Sequence, residues 1–280
     1  MTYVDLTELA PGLRTLGSGL YASPRGESVS YPEAAHEGCF ELEENSFWFL
    51  HRNAVLLAAV RAWPPPGLLV DVGGGNGFVS KALEEAGWEV VLLEPGADGT
   101  KHARARGVGS VACATWDEAG FLPATLGGVG LFDVLEHVAD ARALLRSLEA
   151  ALMPGGRLYL TVPAHPWLWS EADRHAGHFR RYTRRSLEAE LVAAGFAIER
   201  LTHFFSFLTL PILLGRTLGG AFRQPSDLQA RALEEHRPEG TLTKAMVTSL
   251  CRLELELLAR GRTLPVGSSL LAVARKTSTS

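Results

Sequence analysis

The stretch "LLVDVGGGNGF", residues 68–78, decides how the rest of the chain is read. An apolar run passes into an acid, Asp71, and four glycines, Gly73, Gly74, Gly75 and Gly77, follow within five positions. A short apolar run bounded by turn residues reads as a buried strand. Glycines just beyond it admit positive φ and let backbone come close to a ligand. In a doubly wound α/β sheet, ligands bind at the carboxyl ends of strands near the switch in strand order. The loop is read as such a contact; a tight turn with no ligand is the alternative.

Two ligands compete for it. The dinucleotide fingerprint, G-x-G-x-x-G, needs a third glycine where the chain has Phe78. The spacing present is D-x-G-x-G-x-G, from Asp71 through Gly73, Gly75 and Gly77. A bulky Phe78 at the helix entrance disfavours a pyrophosphate. Seventeen residues past Gly77, "VVLLEP" ends a second strand at Glu94. A carboxylate there can accept hydrogen bonds from both ribose hydroxyls, as NAD and S-adenosylmethionine would each require. The glycine spacing decides for S-adenosylmethionine.

Outward from the loop the pattern alternates. Apolar runs at 90–93, 110–113, 129–132 and 158–162 read as further strands. Helical spacing lies between them, as in Val79, Leu83 and Ala86, and in Leu144, Leu145, Leu148 and Leu152 behind Asp140 as N-cap. The result is a Rossmann-like, mostly parallel sheet with helices on both faces. Upstream, "ENSFWFLHRNAVLLAAVRAW" reads as a helix that Pro64 to Pro66 stop. Residues 1–40 read as irregular. Residues 41–280 read as one domain, with a cover helix at 41–63 and a helical lid or insertion at 206–263. Within that insertion Leu242, Met246, Leu250, Leu253 and Leu257 share a helical stripe, and "SLLAVARK" closes the sheet.

Composition narrows the partners. The chain has 280 residues, 46% hydrophobic, with net charge −4. A general nucleic-acid binder is normally basic, so no nucleic-acid partner is expected. Three separated cysteines form no C-x-x-C pair, which indicates neither a zinc ribbon nor a disulfide framework. The N-terminus has no basic region before an apolar run, and the greasiest stretch, 204–215, is too short to span a bilayer. A cytoplasmic monomer or homodimer is expected, with membrane-surface contact through 204–218 as a further option.

"FDVLEHVAD" after the fourth strand and "ALMPGGRLYLTVP" leading into the fifth complete a set of ordered motifs. With these the chain resembles the class I S-adenosylmethionine-dependent methyltransferases, most closely the bacterial branch with an "FWF..RN" helix and a "GH..RRY" segment. The resemblance covers about residues 38–276 and implies seven strands in the order 3-2-1-4-5-7-6, the seventh antiparallel. It implies that Asp71 and the Gly73–Gly77 backbone meet the methionine end of the cofactor, that Glu94 takes the ribose, and that Asp133 lies near the sulfonium. Thr115 and Trp116 are the adenine candidates, although the family's usual acid after the third strand is replaced by Ala114. Phe47 or Trp48 would lie over the cofactor, with Arg52 near its carboxylate.

Methyl transfer is an in-line displacement in which the cofactor carries the activation. The protein must place a nucleophile about 3–3.5 Å from the methyl and, for some acceptors, take a proton. The richest acceptor-side stretch is "PAHPWLWSEADRHAGHFRRYTRR", residues 163–185. Glu171, His175, His178 and Tyr182 are its candidate bases. Trp167 and Trp169 could wall a flat or apolar acceptor, and Arg180 and Arg181 suit a carboxylate or phosphate. Asp173, His175 and His178 match no known ligand spacing, so no metal is expected. The expectation is methylation of a small molecule, amphiphilic or anionic, such as a carboxylate or prenyl diphosphate. The alternatives are a protein or lipid-linked acceptor, a NAD-dependent oxidoreductase, or a cofactor-binding relative without catalysis.

Overall fold

The computed structural model of the chain describes residues 3–24, 40, 42–209 and 241–277. Two strands, β1 (Arg14–Gly17) and β2 (Leu20–Ala22), come first, then the helix α1 (Phe47–Ala62). The glycine loop joins β3 (Leu69–Val72) to α2 (Phe78–Glu85). Then follow β4 (Val90–Leu93), α3 (Ala97–Ala105), β5 (Ser110–Cys113), α4 (Trp116–Ala119), β6 (Leu126–Phe132), α5 (Ala141–Ala151) and β7 (Leu152–Pro163). The last third holds α6 (Glu171–His175), α7 (Arg184–Ala193), β8 (Phe196–Phe204), α8 (Thr241–Ala259) and β9 (Ser269–Lys276).

One nine-stranded sheet runs β1-β2-β5-β4-β3-β6-β7-β9-β8. Without its first two members this is the expected order, with β3 to β7 parallel and β9 antiparallel to both neighbours. The two additional strands correct the reading of residues 1–40 as irregular. β2 pairs parallel with β5, Leu20 opposite Val111, and β1 folds back antiparallel on it. Together they cover what would be an open sheet edge. Strands of three and four residues around a Gly-Ser-Gly turn carry too little alternation to be read from sequence.

The sheet buries apolar side chains on both faces. On one, Leu145 and Leu148 of α5 meet Leu187 and Leu191 of α7. On the other, Val55, Leu56 and Val60 of α1 pack with Leu83, Phe204, Phe205 and Leu258. The leucine–methionine stripe expected on α8 is not its buried side. Met246 and Leu253 are exposed, whereas Glu254 and Leu258 are buried.

A carboxylate sets that face. Glu254 accepts hydrogen bonds from His51 Nε2 of α1 at 2.8 Å and from the backbone N–H groups of Phe205 and Ser206 at 2.6 and 2.7 Å. Burial alone would raise its pKa, but these donors hold it below the usual value. Glu254→Ala leaves the buried Phe205 N–H, the half-buried Ser206 N–H and an imidazole without their acceptor. We expect a loss of about 3 kcal/mol in urea denaturation; a loss below about 1 kcal/mol would mean water replaces the carboxylate. Of the insertion expected at 206–263, residues 210–240 lie outside the described residues.

Candidate active site

The register brings the ends of β3 and β4 together, Asp71 opposite Leu92 and Val72 opposite Leu93. Gly73 N–H then donates to Leu93 O at 2.7 Å, so the glycine loop and Glu94 meet by construction. Glu94 accepts from Gly75 N–H at 2.9 Å and Gly96 N–H at 2.7 Å. Gly73, Gly75 and Gly77 have φ of 70°, 52° and 77°, where a side chain is strained. Their roles differ. A Cβ on Gly73 would meet Val134 at 2.7 Å, and one on Gly77 would meet Val108 and Ala103 at 2.8 and 2.9 Å. One on Gly75 would meet nothing within 4 Å, because that residue opens onto a cleft. Gly77 therefore serves close packing at the start of α2, and Gly73 to Gly75 form the cleft floor.

The cleft has a volume of about 540 Å³. Asp71 lines it, buried, with Oδ2 accepting from Ser80 Oγ at 2.6 Å. Burial pushes the Asp71 carboxyl up to about 6, opposed by Ser80 and by the Arg52 charge. From α1, capped by Ser46, come Trp48, Phe49 and Arg52. Trp48 stacks on Phe205 at 5.3 Å. Arg52 Nε donates to Asp133 Oδ2 at 2.6 Å and its Nη2 to Phe132 O at 3.0 Å. Its charge also acts on Glu43, Asp71 and Glu136, so one guanidinium serves four carboxyls.

Beyond β6 the chain makes a left-handed step at Asp133, φ 57°, and a short 3-10 turn, Leu135–His137. That turn puts Glu136 and His137 on the cleft wall. Glu136 is 1% exposed, and burial, reinforced by Asp133, raises its pKa well above the usual value. Burial and the neighbouring His178 bring His137 down to about 4. Opposite them, Asp173 organises the segment after β7. It accepts from Ser170 N–H and Oγ at 2.8 and 3.0 Å, from Arg181 Nε at 2.7 Å, and faces His178 Nδ1 at 3.0 Å. Burial would raise its pKa, but His178 and Arg181 hold it well below the usual range.

Of the cofactor candidates, Trp48, Arg52, Asp71, Gly73, Gly74, Gly75 and Asp133 line this cleft. Phe47, Gly77, Glu94, Thr115 and Trp116 are outside its lining. Thr115 caps α4 in a reciprocal pair with Glu118, and Trp116 stacks on Phe121 at 5.0 Å against the core. Of the candidate bases, His178 alone lines it. Glu171 is exposed and pairs with Arg174, and His175 Nδ1 lies 2.8 Å from the Glu171 carbonyl. Tyr182 is 1% exposed within the core. Arg181 lines the cleft with its guanidinium bound to Asp173 and, at 3.2 Å, to Ala164 O. Arg180 donates to the carbonyls of Val138 and Ala139 at 3.2 and 2.7 Å. Trp167 is exposed and stacks on His165, and Trp169 ends the 3-10 turn after β7. Sequence reasoning missed Glu43, Phe49 and Glu136, which also line the cleft.

The imidazoles give a testable pH dependence. Burial lowers the pKa values of His137, His165 and His203 in the fold. A lowered histidine is neutral when folded and charges when unfolded, so stability is lost as pH falls from about 6.5. For His137 the loss runs on to about 4. Raised carboxyls such as Asp71 act in the opposite sense over part of that window, so the readout is the difference between proteins: His137→Gln should gain melting temperature relative to the parent as pH falls from 6.5 to about 4. An unchanged slope in the variant would mean that His137 is not held neutral.

A family profile described as a methyltransferase domain matches residues 49–201, more than half of the chain. Ubiquinone biosynthesis O-methyltransferase of Xanthomonas campestris is 30% identical over 110 residues, 37% of this chain and 46% of that protein. The tRNA 5-carboxymethoxyuridine methyltransferase of Escherichia coli is 36% identical over 100 residues, 33% of this chain and 38% of that protein. The chain thus spans less than half the length of either relative. Haemonchus contortus phosphoethanolamine N-methyltransferase 2, solved with S-adenosylhomocysteine, superposes with a TM-score of 0.57 at 17% identity, over 89% of this chain and 58% of that one. No helix among the described residues is long and apolar enough to cross a membrane. With its sheet order, glycine loop and profile match, the chain belongs to the methyltransferase-domain family and has the class I fold.

Proposed function

We propose that this enzyme methylates a small, amphiphilic acceptor in the cytoplasm. One observation carries the reading. A single cleft runs from Gly73–Gly75, past Asp133, to His137, His178 and Arg181, so the cofactor loop and the acceptor-side groups share one cavity. Its volume of about 540 Å³ falls in the range of about 300–1,000 Å³ typical of small-molecule sites. Trp48, Phe49, Phe78, Phe132 and Pro163 give it apolar walls, and the histidines give one polar end. The acceptor lone pair would attack the methyl carbon while the carbon–sulfur pair leaves to the thioether of S-adenosylhomocysteine.

Arg180 and Arg181 are bound to backbone and to Asp173, so a hydroxyl acceptor is favoured over a diphosphate. The test is transfer of radiolabelled methyl to panels of amphiphilic acids and phenols, prenyl diphosphates, bulk tRNA and protein. Label entering the acid and phenol panel supports the reading. Label entering tRNA alone would favour a nucleic-acid acceptor, the activity named for the Escherichia coli relative.

A further inference from the structure

We propose that Glu136, His137 and His178 hold a divalent first-row metal ion at the acceptor end of the cleft, with Asp173 orienting His178. This rests on the methyltransferase reading of the same cleft. One ligand atom from each of the three residues lies within 4.8 Å of the others. An ion bound at about 2.1 Å to each would hold such atoms about 3–4 Å apart, so a small inward movement completes the set. Two imidazoles and one carboxylate leave coordination positions open for substrate.

Three independent features point the same way. Glu136 is 1% exposed and lines the cleft, yet its Oε2 has no hydrogen-bond partner. A buried, unpaired carboxyl oxygen is costly unless a ligand arrives to meet it. His178 directs Nδ1 at the Asp173 carboxylate, 3.0 Å away, which leaves Nε2 for an ion. A carboxylate behind a ligating histidine is how metal sites fix tautomer and ring orientation. The two ligand-bearing segments are also tied together. Phe179 N–H donates to Glu136 O at 2.8 Å, Arg180 reaches Val138 O and Ala139 O, and the rings of His137 and His178 meet edge to face at 4.7 Å. Asp133, another carboxylate lining the cleft, is bound to Arg52.

Imidazole ligands suit iron, nickel, copper or zinc rather than magnesium or calcium. An acceptor hydroxyl bound to the ion would lose its proton to solvent more readily. Its oxygen lone pair would form the new bond to carbon while the carbon–sulfur bond breaks towards sulfur. The substrate class is therefore an oxygen acceptor that can coordinate a metal.

The experiment is titration of the chelator-stripped 280-residue chain with Co²⁺, followed by calorimetry and by visible absorption. S-adenosylmethionine is titrated into the same metal-free sample, and circular dichroism reports folding of each variant. The expected result is one Co²⁺ per chain with a nitrogen-ligand spectrum, lost in Glu136→Gln and His178→Ala. Asp173→Asn, which removes no ligand, should weaken binding by about 10–100-fold. No Co²⁺ binding, or binding unchanged in folded Glu136→Gln, overturns the metal site even where S-adenosylmethionine binds. Failure of S-adenosylmethionine to bind overturns the methyltransferase reading on which the site rests, whatever Co²⁺ does.

Discussion

Arg52→Met costs the fold about 3 kcal/mol at pH 7 and much less near pH 4. The Arg52 side chain is 10% exposed and bonds to Asp133 and Phe132 O, so removal leaves a carboxylate and a carbonyl without their donor. The pH dependence follows from the other carboxyls. Glu43, Asp71 and Glu136 are all raised by burial, Asp71 to about 6, and in each the Arg52 charge works against the rise. A carboxyl raised above its unfolded value takes stability away as pH climbs through its folded pKa. Without Arg52 these groups rise further, so the deficit deepens from about pH 4 through pH 6 and above. Below pH 4 they are protonated in both states and only the lost hydrogen bonds remain. Urea denaturation at the two pH values measures the difference. An equal loss at both would mean that Arg52 acts by packing rather than by charge.

Gly75→Arg removes cofactor binding while leaving the fold. No atom lies within 4 Å of a Cβ built at Gly75, and the residue lines the cleft. A long cationic side chain there fills the floor on which the cofactor must rest. Affinity should fall at least ~100-fold, equivalent to about 2.8 kcal/mol. The folding cost is smaller. Holding a non-glycine residue at φ 52° costs about 1–2 kcal/mol. Melting temperature should therefore fall by only a few degrees. Gly77→Arg should do the reverse, because its Cβ meets Val108 and Ala103 rather than the cleft. That variant should unfold before its binding can be read.

The sheet was legible because each inner strand is an apolar run that ends at a turn, and Asp71, the glycines and Glu94 mark the carboxyl ends of adjacent strands. β1 and β2 were not legible, since all four residues of β1 are exposed and the three residues of β2 are too few for an alternation to be read. The buried side of α8 was misread for a different reason. Glu254 looks like a solvated acid until His51, more than two hundred residues earlier, is known to meet it. The same holds for Glu136. Nothing in "FDVLEH" marks it as buried; the returning residues 179 and 180 bind its turn through Phe179 N–H and the Arg180 guanidinium. His178 could not be separated from Glu171 and His175 by sequence. The Ser170–Asp173 capping box sets the short helix α6, and that helix turns Glu171 and His175 to solvent while Asp173 faces inward.

The identity of the cofactor underlies every proposal about the acceptor. Calorimetric titration of the purified protein with S-adenosylmethionine and, separately, with NAD examines it with the fewest assumptions, with Glu94→Ala alongside. Glu94 pins Gly75 and Gly96 by their N–H groups, so its loss should loosen the loop as well as remove the expected ribose partner. One S-adenosylmethionine per chain, no NAD, and binding weakened about tenfold or more in Glu94→Ala would agree with the cleft as described, each tenfold being about 1.4 kcal/mol. Binding of NAD in place of S-adenosylmethionine, or of neither, would show that the glycine loop serves another ligand.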